Sequence, residues 1–311
     1  MKNPVPVSRF ASFLIIFIIY VAAFFGGFLV LYFLPGLHPL ISFLIADVAA
    51  TIIVWIAGLI LKNASAYDPY WSVLPPVFIT VWIIQATDAF TSADLLFILA
   101  VFIWGLRLTV NWAMRWVNLG HQDWRYTMLR EKSPKIWFLT NLFGINLIPT
   151  LFVYMALVPA YVALSGSKGT GFPLFLAPLQ NLPAAAGSAI IAAGFIFCIA
   201  AVVLQAISDR QMDDFKKRAT DKSKYIEIGL WKFSRHPNYF GEVLFWWGIW
   251  VMQMGVAPGA WLTVVGPVAM TFLFIFISVP MMENHVILSK PGYAAYKKRV
   301  SMLVPWPRRA R

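Results

Sequence analysis

The stretch GLWKFSRHPNYFGEVLFWWGIW, residues 229–250, sets Arg235, His236, Asn238 and Glu242 at the mouth of what reads as a membrane span. Polar groups at that depth are costly unless paired or bound, so these residue types need a reason. Asn238 and Glu242 are four apart and share a face if the segment is helical. Glu242 is followed closely by Phe245, Trp246 and Trp247, so its carboxylate must accept hydrogen bonds from a partner or a ligand. A second set lies upstream in LQAISDRQMDDFKKR. Gln205 and Asp209 are again four apart, and Asp213, Lys216 and Lys217 carry the same helical neighbourhood out to a cationic tip. A snorkelling extension accounts for Lys216, Lys217 and Arg218 but not for Gln205. A third set, Glu283 and His285, precedes an amphipathic segment with Tyr293 and Tyr296. An interfacial anchor there accounts for Lys297, Lys298 and Arg299, and leaves Glu283 and His285 to be explained.

The elements that must hold these groups are transmembrane helices. Of the 311 residues, 60% are hydrophobic and 12% charged, about half the charged fraction of an ordinary soluble domain. Eight stretches approach the ~20 apolar residues of a span: 10–34, 39–61, 74–90, 94–116, 136–164, 184–208, 239–257 and 261–281. The first is too long, and lacks the small-residue cleavage site, for a signal peptide, so it is expected to be retained. Pro149 is the candidate break in the long fifth span, and Asp47, inside the second, suits a helix-to-helix hydrogen bond. Cys198, the single cysteine, excludes an internal disulfide framework and a multi-cysteine metal site. Residues 165–188, rich in Gly, Pro and Ser, read as the longest external loop, and one domain is the simplest count.

Basic residues orient the chain. Lys2, Arg9, Lys62, Arg107–Lys135, Arg210–Arg235 and Lys290–Arg311 hold 24 of the 25 lysines and arginines, while the intervening segments hold only Lys168, alongside Asp88 and Asp94. That partition places both termini in the cytoplasm. The same bias, with anionic headgroups as the partner, accounts for most of the net charge of +12 without nucleic acid.

GLWKFSRHPNYFGE, with the tail ENH and GYAAYKKRVSMLVPWP, resembles the C-terminal region of the membrane steroid 5-alpha-reductase family, and of an uncharacterised bacterial branch of it. NASAYDPYWSVLPP and WGLRLTVNWAMRWVNLGHQDWRY extend the resemblance over most of residues 60–311. It implies an all-α fold: a polytopic integral membrane helical bundle of about seven to eight transmembrane helices, with a cytoplasm-facing cofactor cavity, in a bacterial inner membrane. Residues 1–60 would supply N-terminal spans and 61–311 the reductase-like region of a single membrane domain. The implied cofactor is NADPH, giving a hydride to an activated carbon–carbon double bond of a hydrophobic, lipid-like enone without a metal. The cofactor-binding positions carried over are Arg107, Gln205, Asp209, Lys216, Asn238, Glu242 and His285, with Arg235 and His236 from the motif itself. Arg and Lys suit phosphates, and carboxylates and amides suit ribose hydroxyls and the nicotinamide amide. There is no GxGxxG, so a Rossmann domain is not expected. The family's Gln-Glu pair before Leu-Pro is missing from YWSVLPP, and its substrate-gripping tyrosine falls near Trp104, so steroid specificity does not carry over. Asp68, Tyr67 and Tyr70 in SAYDPYW are the nearest substitute acids, although an Asp before Pro is commonly a turn former.

The Arg-His-Pro-x-Tyr-x-Gly pattern is also similar to isoprenylcysteine carboxyl methyltransferases and phospholipid methyltransferases, which implies S-adenosylmethionine as an alternative cofactor. Asp209 and the cationic Lys216–Arg218 face favour the reductase. A transporter or lipid-binding scaffold is the non-enzymatic alternative, and the related halves common in transporters are not visible. The charge partition makes a direct prediction for intact cells. A thiol reagent labels Lys168→Cys and not Lys222→Cys, and the reverse pattern overturns the orientation.

Overall fold

The computed structural model describes residues 7–85, 90–165, 182–221 and 223–308. Asp88, Lys168, Lys222, Arg311 and most of the expected loop at 165–188 lie outside them. In chain order the helices are α1 (Arg9–Phe33), α2 (Pro39–Ile60), α3 (Tyr70–Gln85), α4 (Ser92–Arg115), α5 (Trp124–Lys132), α6 (Trp137–Leu139), α7 (Ile148–Leu164), α8 (Ala184–Arg218), α9 (Pro237–Val256), α10 (Val265–Phe272), α11 (Val279–Ser289) and α12 (Tyr293–Arg299). No β-strand occurs among the described residues beyond one isolated bridge, Ser234 to Ser301. Among the described residues six helical segments are long and apolar enough to cross a membrane: 9–33, 39–60, 92–115, 134–164, 184–218 and 258–289. The protein is a polytopic helical membrane protein. Its other two expected spans are helical as well. Helix α3, with Pro75 and Pro76 inside, is only 16 residues long. Helix α9 has the length, but its Asn238, Glu242 and Gln253 make it more polar than the six.

Two of the long segments are not uniform α-helices. Pro149 marks the fifth span as broken, and the helix widens to π geometry over Thr140–Leu147, just before the proline that cannot donate a backbone bond. The last span widens in the same way over Leu273–Ser278, between α10 and α11.

The chain forms two compact units, the first from residues 1–81 and 104–154, the second from 82–103 and 155–311. In unit 1, Ser8 caps α1 through its hydroxyl, and His38 caps α2 with Pro39 at the first helical position. Asp47 accepts from Tyr70 Oη at 3.0 Å, so the polar group inside the second span does bond helix to helix. The segments NASAYDP and NLGHQDWRY dock on one another. Asn63 Nδ2 donates to Leu119 O at 2.7 Å and to His121 O at 3.1 Å, Gln122 Oε1 accepts from Ala64 N at 3.0 Å, and Ser65 Oγ accepts from Asp123 N at 3.0 Å.

In unit 2 the central feature is the antiparallel pair α8 and α9. Small residues recur every seven positions on both helices, Gly187, Gly194 and Ala201 facing Gly255, Gly248 and Gly241. A methyl group on Gly194 would lie 2.6 Å from Met252 N and 2.8 Å from Gly248 O, and one on Gly241 would lie 2.9 Å from Ala201 O. The backbones therefore touch, which is how helices gain packing energy where lipid removes the hydrophobic drive. Gly194→Ala should lower stability by about 1–3 kcal/mol, the usual cost of overpacking. The comparison is Gly36→Ala, whose added methyl meets nothing within 4 Å and should leave the melting temperature unchanged.

Candidate functional site

The heptad register of α8 and α9 sets the polar residues of the two helices opposite one another. Gln205 Nε2 donates to Glu242 Oε2 at 3.0 Å, and Asn238 Nδ2 donates to Asp209 Oδ1 at 3.3 Å. The i, i+4 faces expected from sequence thus meet as two amide–carboxylate pairs, one turn apart along the seam. The deeper pair is closed off from solvent, Gln205 being 1% and Glu242 4% exposed. Glu242 Oε1 accepts from Trp246 Nε1 at 2.9 Å, so both carboxylate oxygens have donors. Sequence reasoning placed Trp246 near Glu242 as an apolar neighbour and missed its indole N–H. The i, i+4 spacing of an acid and a tryptophan was the available signal. Towards the end of α8 the pairing gives way to Asp213 and then to the exposed Lys216.

Arg235 and His236 do a different job. Arg235 Nε donates to Glu283 Oε1 at 2.6 Å, and its Nη1 donates to Lys297 O at 2.8 Å and to Val300 O. His236 Nε2 lies 3.2 Å from the same Glu283 oxygen, and Lys297 Nζ reaches Glu283 Oε2 at 2.8 Å. Burial pushes the His236 imidazole below its ordinary pKa, against the pull of the Glu283 bond. The ring stacks on Tyr239 at 5.3 Å between centroids. Around this cluster Ser234 Oγ donates to Leu303 O at 2.7 Å, Arg235 N to Ser301 O at 2.9 Å, and Tyr296 Oη to Trp231 O at 2.6 Å. The buried Arg-His pair therefore pins residues 293–306 against the turn that opens α9. His285, two residues beyond Glu283 on α11, is exposed.

Unit 1 holds the remaining candidates. Arg107 lies on α4 and is partly exposed. Tyr67 and Tyr70 are buried, the first bonded to Thr150 Oγ1 at 2.7 Å and the second to Asp47. Asp68 is partly exposed and accepts a short hydrogen bond from Tyr126 Oη. Burial pushes its carboxyl up to about 6, while the nearby Arg125 guanidinium and the Tyr126 bond pull it back. Asp123 meanwhile forks onto Arg125 at 2.8 and 3.0 Å. Asp68 and Tyr126 are thus a hydrogen-bonded pair whose carboxyl is raised above the usual carboxylate range. Tyr126 was quoted in sequence only as part of a motif. Its pairing with Asp68 depends on the docking of two segments 58 residues apart.

The amide–carboxylate pairs can be tested without any ligand. Glu242→Gln turns one acceptor into a donor facing either Gln205 or Trp246, leaving an unsatisfied buried group at a cost of about 1–3 kcal/mol. Exchanging the pair, Gln205→Glu with Glu242→Gln, restores both of these bonds: residue 242 accepts from Trp246 and donates to residue 205. The melting temperature should fall in the single variant and recover in the exchange, and an unrecovered loss excludes this pairing as the reason.

Comparison with known proteins places these segments in context. The chain is 25% identical to an uncharacterised protein of Schizosaccharomyces pombe over 303 residues, 88% of this chain and 79% of that one. Over 80 residues it is 39% identical to Methanethiol S-methyltransferase 1 of Bradyrhizobium diazoefficiens, a match that spans 25% of each chain. No solved structure matches. The family described as a protein of unknown function (DUF1295) matches residues 54–300, which takes in both docked segments of unit 1, the α8–α9 seam and the Arg235–Glu283 cluster, and the chain belongs to that family.

Proposed function

We propose that this protein is an NADPH-dependent membrane reductase that acts on the activated carbon–carbon double bond of a hydrophobic, lipid-like enone. The observation that carries the reading is the row of two amide–carboxylate pairs on the α8–α9 seam, continued outward by the exposed cations Lys216, Lys217 and Arg218. Carboxylates and amides suit ribose hydroxyls and a carboxamide, and the cations suit phosphates. Arg235 is held by Glu283 and two carbonyls, so the phosphate charge falls to the α8 tip in this reading. When bound, NADPH supplies the hydride. The protein's own contribution is to orient that group through Asp209 and Asn238, with Gln205 and Glu242, enclosed and bonded to each other and to Trp246, fixing the seam behind them and His285 as a further candidate contact. Asp68 is the candidate acid, since burial pushes its carboxyl up to about 6 and Tyr126 bonds it. Tyr67 and Tyr70 are the weaker candidates, because their hydroxyls already serve Thr150 and Asp47. The charge partition supports an inner-membrane orientation with both termini in the cytoplasm, and the substrate arrives from the lipid phase.

The resemblance to Methanethiol S-methyltransferase 1 favours a second reading, an S-adenosylmethionine-dependent methyltransferase acting on a lipid or prenylated substrate. The same carboxylates and amides suit its ribose and amino-acid groups, whereas the basic tip then has no phosphate to hold.

The two readings part in a binding measurement on detergent-purified protein. NADPH should raise the melting temperature and NADH should do so less. Lys216→Gln with Lys217→Gln and Arg218→Gln should weaken NADPH by about tenfold or more, while NADH changes little. Equal affinity for the two nicotinamide cofactors rejects the assignment of the tip. A response to S-adenosylmethionine alone replaces the reductase with the methyltransferase.

A further inference from the structure

A cavity of about 150 Å³ lies in unit 1, at the C-terminal end of α2, and its wall includes none of the candidate catalytic or cofactor-binding residues. A single water needs roughly 10–15 Å³ of such volume, so the space admits a tetrahedral oxyanion with solvent to spare. Its wall includes Asn63, Gln122, Lys62, Arg130, Trp137 and Asn141, and no carboxylate. Two of these are already occupied in holding the wall together. Asn63 bonds Leu119 O, His121 O and Ser65 N, and Gln122 bonds Ala64 N and Thr127 Oγ1. The other polar groups all offer hydrogen atoms. Asn141 is only 3% exposed, and its Oδ1 accepts from Asn146 Nδ2 at 3.0 Å. Its own Nδ2 makes no hydrogen bond among the described residues. Arg130 is exposed and lies over the Trp137 ring at 5.9 Å. Lys62 has a φ of 54°, the left-handed region that a long side chain adopts rarely and that tends to persist where a site requires it.

We propose that this cavity is a binding site for a phosphate group, gripped by Lys62, Arg130 and the Asn141 amide. Two cations and the Asn141 amide, in a wall without a carboxylate, select an anion, and Arg and Lys together suit phosphate oxygens better than a lone carboxylate. The position at the end of a span is the depth at which phospholipid phosphates lie. A lipid headgroup and a free phosphate therefore offer the same chemistry from two sources. The site is independent of the cofactor reading and holds for a reductase or a methyltransferase alike.

The full-length protein in a phosphate-free maltoside detergent tests this by thermal shift against three probes: inorganic phosphate, dioctanoyl phosphatidic acid and dioctanoylglycerol. A rise with inorganic phosphate supports the site and identifies a free anion as sufficient. A rise with phosphatidic acid and with neither other probe supports it and identifies the lipid headgroup. Lys62→Gly with Arg130→Gln removes both charges and relieves the left-handed backbone, so the variant should fold and lose tenfold or more in apparent affinity. Asn141→Asp keeps the acceptor for Asn146 and turns the donor into a repelling oxygen, giving the same loss if the first variant proves unstable. The proposal is overturned if neither phosphate probe stabilises the wild type, if dioctanoylglycerol serves equally well, or if the folded variants respond as the wild type does.

Discussion

The contact between the backbones of α8 and α9 is the constraint on which the rest of unit 2 depends. Lipid offers no hydrophobic reward for bringing two apolar helices together, so their attraction comes from close packing over a long seam. Glycine or alanine at every seventh position of each helix removes the side chains that would hold them apart. A seven-residue repeat also keeps one stripe facing the partner along the whole length. Because the register is fixed at Gly187, Gly194 and Ala201, the polar ends of the helices have no freedom to choose partners. Gln205 must meet Glu242, and Asp209 must meet Asn238. A charged group at 4% exposure is tolerable only under such fixed donors.

The helical content was legible because its signal is composition, and over their described residues all eight apolar stretches are largely helical. The polar faces were legible too, since i, i+4 spacing survives any tertiary arrangement. What could not be read was which face meets which. The opening motif shows this well. Arg235, His236, Asn238 and Glu242 are adjacent in sequence, yet the first two turn to Glu283 and residues 297–301 while the last two turn to α8. Proximity does not pair Glu242 with Arg235: the arginine is held by Glu283, 48 residues away. The heptad of small residues was present in the sequence as Gly187, Gly194 and Ala201 with Gly241, Gly248 and Gly255, and would have predicted the α8–α9 pairing. The π-helical turns left a weaker trace, a proline at 149 that says a helix is disturbed without saying how.

Unit 1 shows the same division between local and distant information. Asp68 before Pro69 reads as a turn former, and it does terminate the short helix at Ala64–Tyr67. Its chemistry comes from Tyr126, Arg125 and the burial that a second segment imposes. Two stretches that look like connecting loops are joined by Asn63, Ser65 and Gln122 into one structured layer, with amide side chains supplying bonds that helices would otherwise make internally.

The anchoring of the tail by Arg235 bears on how the molecule is made. Ribosomal synthesis delivers Arg235 well before Glu283, Lys297 and residues 300–303 emerge, so the arginine waits without the carboxylate and carbonyls that finally enclose it. A cation in that position resists burial until its partners arrive. The turn ahead of α9 consequently stays at the aqueous boundary during insertion and closes in the last step. Truncations that remove the tail then act on assembly at the translocon before they act on any chemistry of the finished protein.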